Sequence, residues 1–374
     1  MIREGKYGLY TVRLEKGDVV IELREEYTAL SSTVDGGYRR GISRIVFHHV
    51  SSCPVECDPR SYAERVAMIH GLDPEESIVF MTGASLPDRV YAAEWGDPQQ
   101  ALIASVGLTP IACAHRVEGS GQGTINIAYI TEARLTPHAM VEAVSMISSA
   151  KTIAVTHQHL GCGPGAGPSY ATATDAIAVL SNPEGAPQEY IGPLTSQGFS
   201  LFERVQSLLS KAITSTLRVE ERFHHIAGVS IPELVETALA YYDSAPVPGI
   251  DRGEVKRLVQ RTLEWLLEDP NIWSMLVAAR HLDDSGSLGS IPGLSKDEYA
   301  YDSKKIVADE LLGITLSMYI NGWKGLFAYY WIDRTKHNTS TILGGLPMFM
   351  DDVLGALVGG ILSRVYDRLL GGEV

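Results

Sequence analysis

Two acidic pairs in the second half of the chain carry the clearest chemical signal of the sequence. Asp309-Glu310 lies in the run KKIVADELLGITLSMYI, and Asp351-Asp352 lies in PMFMDDVLGALVGGILS. Both runs are otherwise apolar at helical spacing, so we expect largely buried helices. Carboxylates brought together away from water repel one another and need a cation. A divalent ion such as Mg²⁺ would meet that need and prepare a site for phosphate chemistry.

The spacing also predicts which helix packs beside the second pair. Asp352 heads a stripe of small residues at helical spacing, and the stripe continues with Gly355, Ala356, Gly359, Gly360 and Ser363. Each interior glycine costs a helix about 0.5–1 kcal/mol relative to alanine, so three of them favour a close helix contact. The helix that holds Asp309 and Gly313 is the natural partner. The alternative is that Asp351 and Asp352 are only terminal charges, since acidic residues are favourable in the first turn of a helix.

The first half offers a different set of polar residues. Hydrolysis of an amide requires an activated water or nucleophile and an acid for the leaving amine. The candidates are Asp35, His48, His49, Asp58, His115, His157, His159 and Asp175. Adjacent strand residues point to opposite faces, so His48 and His49 cannot both face one site.

The run TIAVTHQHL at 152–160 is expected to be a strand, in which His157 and His159 share a face. A divalent metal bound there, with Cys162 nearby, is one reading. The polar lining of a large substrate pocket is the other, because closed zinc sites have paired ligands at two separated places.

The elements that must position these residues change character along the chain. The first half alternates segments rich in Ile, Val and Thr with helical ones. We predict a hairpin turning at 16–18, strands near 41–50, 77–83, 108–117, 124–131, 152–160 and 171–180, and helices over 58–70, 97–106, 136–150 and 201–222. From about 230 the sequence predicts helices alone, the first capped by Ser230. The fold prediction is therefore two domains, an α/β sandwich-like domain over 1–222 and an all-α domain over 223–374.

Composition narrows the function class. The chain has 374 residues, of which 45% are hydrophobic and 20% charged, so it can bury a large core. Its net charge of −14 argues against binding a nucleic-acid backbone. We find neither an apolar N-terminal signal region nor a run of about 18 apolar residues that would span a membrane. We expect a cytoplasmic enzyme, or a pair of enzymes, acting on small molecules, with a homo-oligomer as an open possibility.

The second half resembles a known family of all-helical phosphatases. The runs KIVADELLG, GLFAYYWIDRTK and PMFMDDVLGALVGG are similar to the phosphatidylglycerophosphatase A type. They are closer still to its soluble archaeal branch of α-ribazole phosphatases, over about 225–370. The resemblance implies Mg²⁺-dependent release of phosphate from α-ribazole 5′-phosphate.

The same resemblance implies roles for individual residues. It gives catalytic roles to Asp309, Glu310, Asp333 and Asp352, metal ligation to Asp309, Glu310, Asp351 and Asp352, and substrate binding to Arg334 and Lys336. The middle motif reads DRTKHN, without the Lys-Pro that the family usually has. Asp283 and Asp284 stand where the branch often has acidic residues, and helix capping or solvation would explain them equally well.

The first half resembles the adenosylcobinamide amidohydrolase family of corrinoid salvage, over about 15–215. The runs that carry the resemblance are ALSSTVDGGYRRGISRIVFHHV, IVFMTGA, GTINIAYITEARLTPHAMVEAV and ATATDAIAVL. It implies cleavage of adenosylcobinamide into adenosylcobyric acid and aminopropanol. We assign His48, His49 and Asp175 to catalysis and Thr82 and Asn126 to substrate binding, and a divalent metal in this half stays open.

The two resemblances concern two steps of corrinoid metabolism and together imply a bifunctional enzyme. One alternative is a lipid-phosphate phosphatase, acting on phosphatidylglycerophosphate, fused to a corrinoid-binding module without catalytic activity.

Overall fold

The computed structural model describes residues 1–50, 58–108, 111–113, 117–118, 123–160, 169–302 and 305–371. Two compact units account for them: Met1–Gln158 with Ser169–Thr216, and Leu217–Val374 with His159–Pro168. An α/β part followed by a helical part was predicted, and this two-part architecture is confirmed. The boundary at 222 stays a prediction. The candidates His115 and Cys162 lie outside the described residues.

The first unit is built on one curled, mixed sheet that forms a half-barrel. The strands of the described residues are β1 Gly5–Lys6, β2 Tyr10–Glu15, β3 Asp18–Ser31, β4 Gly37–His49, β5 Ser77–Thr82, β6 Val90–Trp95, β7 Gln100–Val106, β8 Ile111–Cys113, β9 Val117–Glu118, β10 Ile125–Thr131, β11 Arg134–Leu135, β12 Ser169–Thr172, β13 Ala176–Ser181 and β14 Pro187–Gln188. The main sheet runs β1-β2-β3-β13-β10-β7-β6, and β4 joins β3 to β5. The pairs β4–β5 and β10–β13 are parallel.

Local chemistry explains several of these elements. The predicted hairpin between β2 and β3 is confirmed, and it turns at Lys16 and Gly17 with φ of 54° and 88°. Positive φ at both central residues suits the right-handed twist of the flanking strands. Three α-helices complete the described part of the unit: α1 Pro59–Ile69, α2 Pro137–Thr156 and α3 Ser196–Thr216. Helix α2 is capped as predicted, because the Thr136 hydroxyl accepts the Ala139 N–H at 3.1 Å.

The single strand predicted over 171–180 is two strands, β12 and β13, and the helix predicted over 201–222 ends at Thr216. Two further segments were predicted as the wrong type of element. The segment 97–106, predicted as a helix, contains strand β7, which is fully buried between β6 and β10. Its alanine-rich sequence pairs well there, because strand preference depends on neighbours more than on the residue alone. The segment 152–160, predicted as a strand, begins as the end of α2, whose buried positions Ala150, Ala154 and Val155 continue a helical period. Short apolar runs of this kind fit either period.

The second unit contains helices and no strand among its described residues. Its helices are α4 Val219–Ala227, α5 Ile231–Asp243, α6 Arg252–Leu266, α7 Pro270–Leu288, α8 Lys296–Ala300, α9 Ala308–Thr335 and α10 Met348–Leu369. The predicted cap of α5 is confirmed, since the Ser230 hydroxyl accepts the Glu233 N–H. Every residue of α10 from Met348 to Ser363 is buried, so α10 is the central helix of this unit. Among the helices described, none is long and apolar enough for a membrane span.

Helix α9 is a hairpin of two helical arms. Asn321 and Gly322 have non-helical backbone angles, and Gly322 has φ 56° and ψ −142°, which favours glycine. Beyond this break the chain turns back on itself. A Cβ placed on Gly325 would lie 2.2 Å from the Ser317 carbonyl oxygen, so the second arm (323–335) lies directly against the first (308–320).

Candidate functional site

The small-residue stripe of α10 is the surface on which the α9 hairpin packs. A Cβ on Gly359 would lie 2.6 Å from the backbone nitrogen of Tyr329, in the second arm. A Cβ on Gly360 would lie 2.7 Å from the Ile320 side chain, at the end of the first arm. The stripe therefore contacts both arms, and the predicted partner of Asp352, the helix of Asp309 and Gly313, is confirmed.

This packing gathers three carboxylates at one place. One carboxylate oxygen from each of Asp309, Glu310 and Asp352 lies within 4.8 Å of the other two. Among the described residues, this is the one cluster of three or more His, Cys, Asp or Glu side chains that is close enough to hold a metal ion. Asp309 is buried, and its Oδ1 has no hydrogen-bond partner. A buried carboxylate oxygen without a partner is costly. The all-oxygen set and this orphaned oxygen fit Mg²⁺, which prefers a few carboxylates and retains waters.

The electrostatics of the cluster point the same way. Burial, reinforced by the neighbouring Glu310 and Asp352, raises the pKa of Asp309 to about 8. Burial also raises the pKa of Asp352 to about 6, although the Lys336 ammonium acts in the opposite direction. Without a cation, Asp309 therefore retains its proton at neutral pH. A divalent ion would replace it.

Lys336 forms the other side of the site. Its Nζ lies 2.8 Å from Asp351 Oδ2, 2.9 Å from Asp333 Oδ1 and 3.0 Å from Asp352 Oδ1. Burial lowers the pKa of Lys336, but the carboxylates of Asp351 and Asp352 outweigh burial and raise it. An ammonium has three donors, so all of them are engaged here. Asp351, predicted as a metal ligand, contacts this lysine, and Lys336, predicted to bind substrate, is the common counter-ion of three carboxylates.

Arg334 lies outside this ion network. Its Nη1 is 3.1 Å from the Tyr330 hydroxyl, and its guanidinium lies over the Tyr330 ring at 5.6 Å from the centroid. Arg334 is exposed, so it remains a substrate-binding prediction at the solvent side of the second arm.

Asp283 fixes the start of the helix that carries the acidic pair. Its buried carboxylate accepts the backbone N–H groups of Phe349 and Met350, each at 3.0 Å, and the Tyr299 hydroxyl at 2.9 Å. Burial raises its pKa to about 6. The capping explanation considered for Asp283 thus matches its contacts, and the carboxylate positions Asp351 and Asp352 by holding the first turn of α10.

Sequence reasoning missed Tyr329, which packs between the two helices of the site. Its hydroxyl is buried without a hydrogen-bond partner. Burial and the nearby Asp352 raise its pKa, so it stays protonated and can donate. The available signal was its helical register with Gly325 and Asp333 on the second arm, which is clear only once the hairpin is known.

A second candidate site is a cavity of about 510 Å³ in the first unit. It lies where β5 ends and where β10 and β13 begin. Three residues predicted from the sequence line it: Thr82, Asn126 and Asp175. Ser32, Thr33 and Thr174 add hydroxyl groups to an otherwise largely apolar wall. This combination suits a large substrate that is held by shape and oriented by a few polar contacts.

Asp175 and Asn126 hold the wall of this cavity together. Asp175 accepts the N–H of Ile125 at 2.9 Å, the N–H and the hydroxyl of Thr172, and an ion-paired donor from Lys151. Asn126 donates to the Met81 carbonyl at 2.9 Å and accepts the Ala176 N–H at 3.1 Å. Both oxygens of Asp175 are thus saturated, and its geometry suits positioning of the strands rather than proton transfer.

His48 and His49 lie in different surroundings, as strand alternation requires. His48 Nδ1 is 2.8 Å from Asp18 Oδ2, and its Nε2 is 3.0 Å from the Tyr62 hydroxyl. Asp18 also binds His70 Nε2 at 2.8 Å. Burial raises the pKa of Asp18, but the hydrogen bonds from both histidines outweigh burial and lower it. This network was not expected, because Asp18 and His70 are distant in sequence from His48.

His49 is placed differently. It is exposed, and its Nδ1 lies 3.0 Å from the Ala84 carbonyl oxygen. A carbonyl accepts only, so Nδ1 carries the proton and Nε2 keeps the lone pair. His49 pairs in register with Thr82, which lines the cavity, so both side chains lie on one face of the sheet.

The expected His157–His159 pair on one strand face is wrong. His157 is the C-cap residue of α2, and His159 has a positive φ of 49°. The hypothesis of a metal site at these two histidines therefore loses the strand geometry on which it was based.

The fold and the first cavity define a class of protein in which a mixed sheet forms a largely apolar cavity and a helical unit is added. Residues 6–221 match the family model described as adenosylcobinamide amidohydrolase, and the chain belongs to that family. An uncharacterized protein of Methanocaldococcus jannaschii is 30% identical over 121 residues, covering 31% of this chain and 90% of that protein.

Solved structures give weaker likenesses. The low temperature requirement C protein from Listeria monocytogenes is 19% identical, covers 41% of this chain and 98% of its own, and has a TM-score of 0.34. A protein of unknown function from Bacillus stearothermophilus is 21% identical, covers 40% of this chain and 97% of its own, and has a TM-score of 0.33. Neither score supports an argument about this chain.

Proposed function

We propose that this protein is a bifunctional hydrolase. Family membership supports adenosylcobinamide amidohydrolase activity in the first unit. For the second unit we propose Mg²⁺-dependent release of phosphate from α-ribazole 5′-phosphate. The observation that carries the second proposal is the buried, unpartnered Oδ1 of Asp309 beside Glu310 and Asp352.

In the first unit, we assign the general base to His49. Its Nε2 carries a lone pair, its ring is oriented by the Ala84 carbonyl, and it shares a sheet face with Thr82 of the cavity. His48 is a weaker candidate, because Asp18 and Tyr62 engage both of its nitrogens. His49 would deprotonate the water that attacks the amide carbonyl and return the proton to the departing aminopropanol nitrogen. Asp175 and Asn126 keep the cavity wall in place.

A single-residue comparison tests this assignment. His49→Gln should reduce kcat for conversion of adenosylcobinamide to adenosylcobyric acid by about 10²-fold or more, the usual contribution of a general base. His138→Gln, an exposed histidine on α2, is the matched control and should keep wild-type activity. Wild-type kcat in His49→Gln would remove His49 from the mechanism, and loss of activity in both variants would point to misfolding.

In the second unit, the proposed ligands are Asp309, Glu310 and Asp352. A bound Mg²⁺ supplies neutralisation of phosphoryl charge and a water of lowered pKa. The chain's own contribution is the placement of its carboxylates, because Lys336 holds Asp333, Asp351 and Asp352 in one geometry. We propose that Arg334, which is exposed on the second arm next to Asp333 in sequence, contacts the substrate.

Phosphate release from α-ribazole 5′-phosphate tests this proposal. Asp309→Asn and Asp352→Asn should abolish Mg²⁺-dependent release and leave amide cleavage intact, because the latter belongs to the other unit. Asp297→Asn, on exposed helix α8, is the control and should retain both activities. Full phosphatase activity in either ligand variant would refute the metal site. An inactive wild-type protein that hydrolyses phosphatidylglycerophosphate instead would reassign the substrate to a lipid phosphate.

A further inference from the structure

A basic cavity lies in the second unit, away from the acidic cluster. Its volume is about 490 Å³, and it is formed by α6, α10 and the break between the two arms of α9. We call it the arginine cavity, and its lining includes Arg261, Trp265, Asn321, Arg364, Asp367 and Arg368. Along α10, Arg364 follows Asp352 by about 18 Å of helix. The arginine cavity is therefore separate from the proposed metal site.

The charge of the arginine cavity is opposite to that of the chain as a whole. The chain has 45 acidic and 31 basic residues, whereas the cavity has three arginines and one carboxylate, that of Asp367. This carboxylate is already engaged, because the Lys324 ammonium and the Asn321 amide both donate to it. More distant carboxylates are largely screened beyond about 8–10 Å at physiological salt. An anion in the cavity therefore meets a local excess of positive charge.

The three guanidinium groups have most of their hydrogen-bond donors free. Each guanidinium has five N–H donors. Arg364 donates from Nε to the Ile320 carbonyl at 2.8 Å, and within the described part of the chain its Nη groups have no partner. Among the same residues, Arg261 and Arg368 form neither an ion pair nor a hydrogen bond. The cavity thus presents many donors and few acceptors.

Two of these arginines also repel each other. Arg364 and Arg368 are one turn apart on α10. Burial and the charge of Arg368 lower the pKa of Arg364, although Asp367 acts in the opposite direction. Like charges at this spacing destabilise a helix. An anion bound between the two guanidinium groups would relieve the repulsion.

Helix-end effects explain only part of this arrangement. A cation is favourable in the last turn of a helix, which accounts for Arg368. The guanidinium of Arg364 lies over the Trp265 ring at 4.6 Å from the centroid, and this contact fixes its orientation. Neither effect places Arg261, which comes from the middle of α6 and lines the same cavity. Two helices therefore direct arginines to one place.

We propose that the arginine cavity binds the phosphate group of a small phosphorylated molecule. A guanidinium matches phosphate oxygens with parallel hydrogen bonds. A phosphate monoester carries a charge of about −1.5 to −2 and three acceptor oxygens, which suits three arginines better than a carboxylate with one charge and two oxygens. The volume lies in the range of about 300–1,000 Å³ that is usual for small-molecule sites. This inference does not depend on the proposed phosphatase activity.

Calorimetric titration of the full chain tests the proposal, with inorganic phosphate and AMP as probes. EDTA is present throughout, so that no divalent ion can attract phosphate to the acidic cluster. Arg261→Gln and Arg368→Gln should each weaken binding by about tenfold or more, because hydrogen bonds between charged groups are lost. Arg368→Lys should lose less, because it keeps the charge but not the planar fork. A lower Kd for AMP than for phosphate would identify a phosphate monoester as the ligand, and the reverse would identify free phosphate.

Arg252→Gln is the matched control. Arg252 also lies on α6 and is exposed, but it pairs with Asp243 and Glu236 and does not line the cavity. This variant should bind both probes as the wild type does. Circular dichroism should match the wild type in all variants, because Arg261 and Arg368 are exposed.

Three results would overturn the proposal. The first is a wild-type Kd above about 10 mM for both probes, which is weaker than a specific site requires. The second is binding that weakens equally in Arg252→Gln, since the effect would then follow net charge rather than the cavity. The third is adenosine binding as tightly as AMP, which would show that the phosphate group is not recognised.

Discussion

Alanine substitutions at two glycines of α10 distinguish the effect of helix propensity on stability from the effect of the close contact between α10 and α9. A Cβ at Gly359 would meet the backbone of Tyr329, at 2.6 Å from N and 2.8 Å from Cα. Ordinary carbon contacts need about 3.5–4.0 Å, so the second arm of α9 must withdraw by about 1 Å. Overpacking of this kind costs about 1–3 kcal/mol, and the higher end applies here because backbone cannot rotate away. The helix preference of alanine returns about 1 kcal/mol.

We therefore expect Gly359→Ala to lower the free energy of unfolding of the second unit by about 1–2 kcal/mol. Gly355→Ala is the control on the same helix. Its Cβ would lie 3.6 Å from the nearest atom of the Tyr329 ring, an ordinary contact, so alanine should add about 0.5–1 kcal/mol of stability. The two variants should differ by about 1.5–3 kcal/mol, with opposite signs relative to wild type.

Urea unfolding followed by tryptophan fluorescence is a suitable assay. Four of the five tryptophans, Trp265, Trp273, Trp323 and Trp331, lie in the second unit, and Trp95 lies in the first. Mg²⁺ affinity provides a second readout, because withdrawal of the arm shifts Asp309 relative to Asp352. Equal stability of the Gly359→Ala and Gly355→Ala proteins would refute the close contact of α9 with α10.

Three further predictions concern the charges around the acidic cluster. Because the pKa of Asp309 is raised to about 8, Mg²⁺ must displace a proton from this carboxyl below pH 8. The apparent affinity for Mg²⁺ should therefore fall by up to tenfold per pH unit from pH 8 toward pH 6. An affinity measured by calorimetry that does not change over this range would contradict the raised pKa. Asp283→Ala should lower the free energy of unfolding, measured with urea, by about 2–4 kcal/mol, because two buried N–H groups of α10 lose their acceptor. Asp284→Ala should lower it by less than half as much. Lys336→Met should destabilise the metal-free protein by about 3–5 kcal/mol, because it leaves buried carboxylates without their counter-ion. Mg²⁺ should raise the melting temperature of this variant more than that of the wild type. An unchanged melting temperature of the metal-free variant would show that Lys336 is not the counter-ion.

Sequence patterns predicted much of the fold where the local signal is strong. The Lys16-Gly17 turn, the Thr136 and Ser230 caps, and the helical second half all follow from short-range chemistry. Segments 97–106 and 152–160 were assigned to the wrong element because apolar, alanine-rich runs of this length fit both periods. Only the neighbours β6 and β10, or the preceding turns of α2, decide between them.

The candidate sites were predicted to different depths. The glycine stripe pointed to the approach of Asp352 and Asp309, because small residues at helical spacing mean a close helix contact. In the first unit, the sequence indicated Thr82, Asn126 and Asp175 but not how they meet. Their convergence on one cavity depends on the pairing of β4 with β5 and of β10 with β13.

The sequence by itself determined the two-part architecture, the family of the first unit and the acidic pairs of the second, because composition, period and motif are local properties of the chain. Only the tertiary structure decided which carboxylates lie together. Asp352 joins the group of Asp309 and Glu310 and also contacts Lys336, whereas Asp351 contacts Lys336 and is not part of that group, although the two aspartates are adjacent. The reason is that neighbours on a helix point about 100° apart, and the break at Asn321 and Gly322 brings both arms of α9 to Asp352, the first with Asp309 and Glu310 and the second with Lys336 at its end.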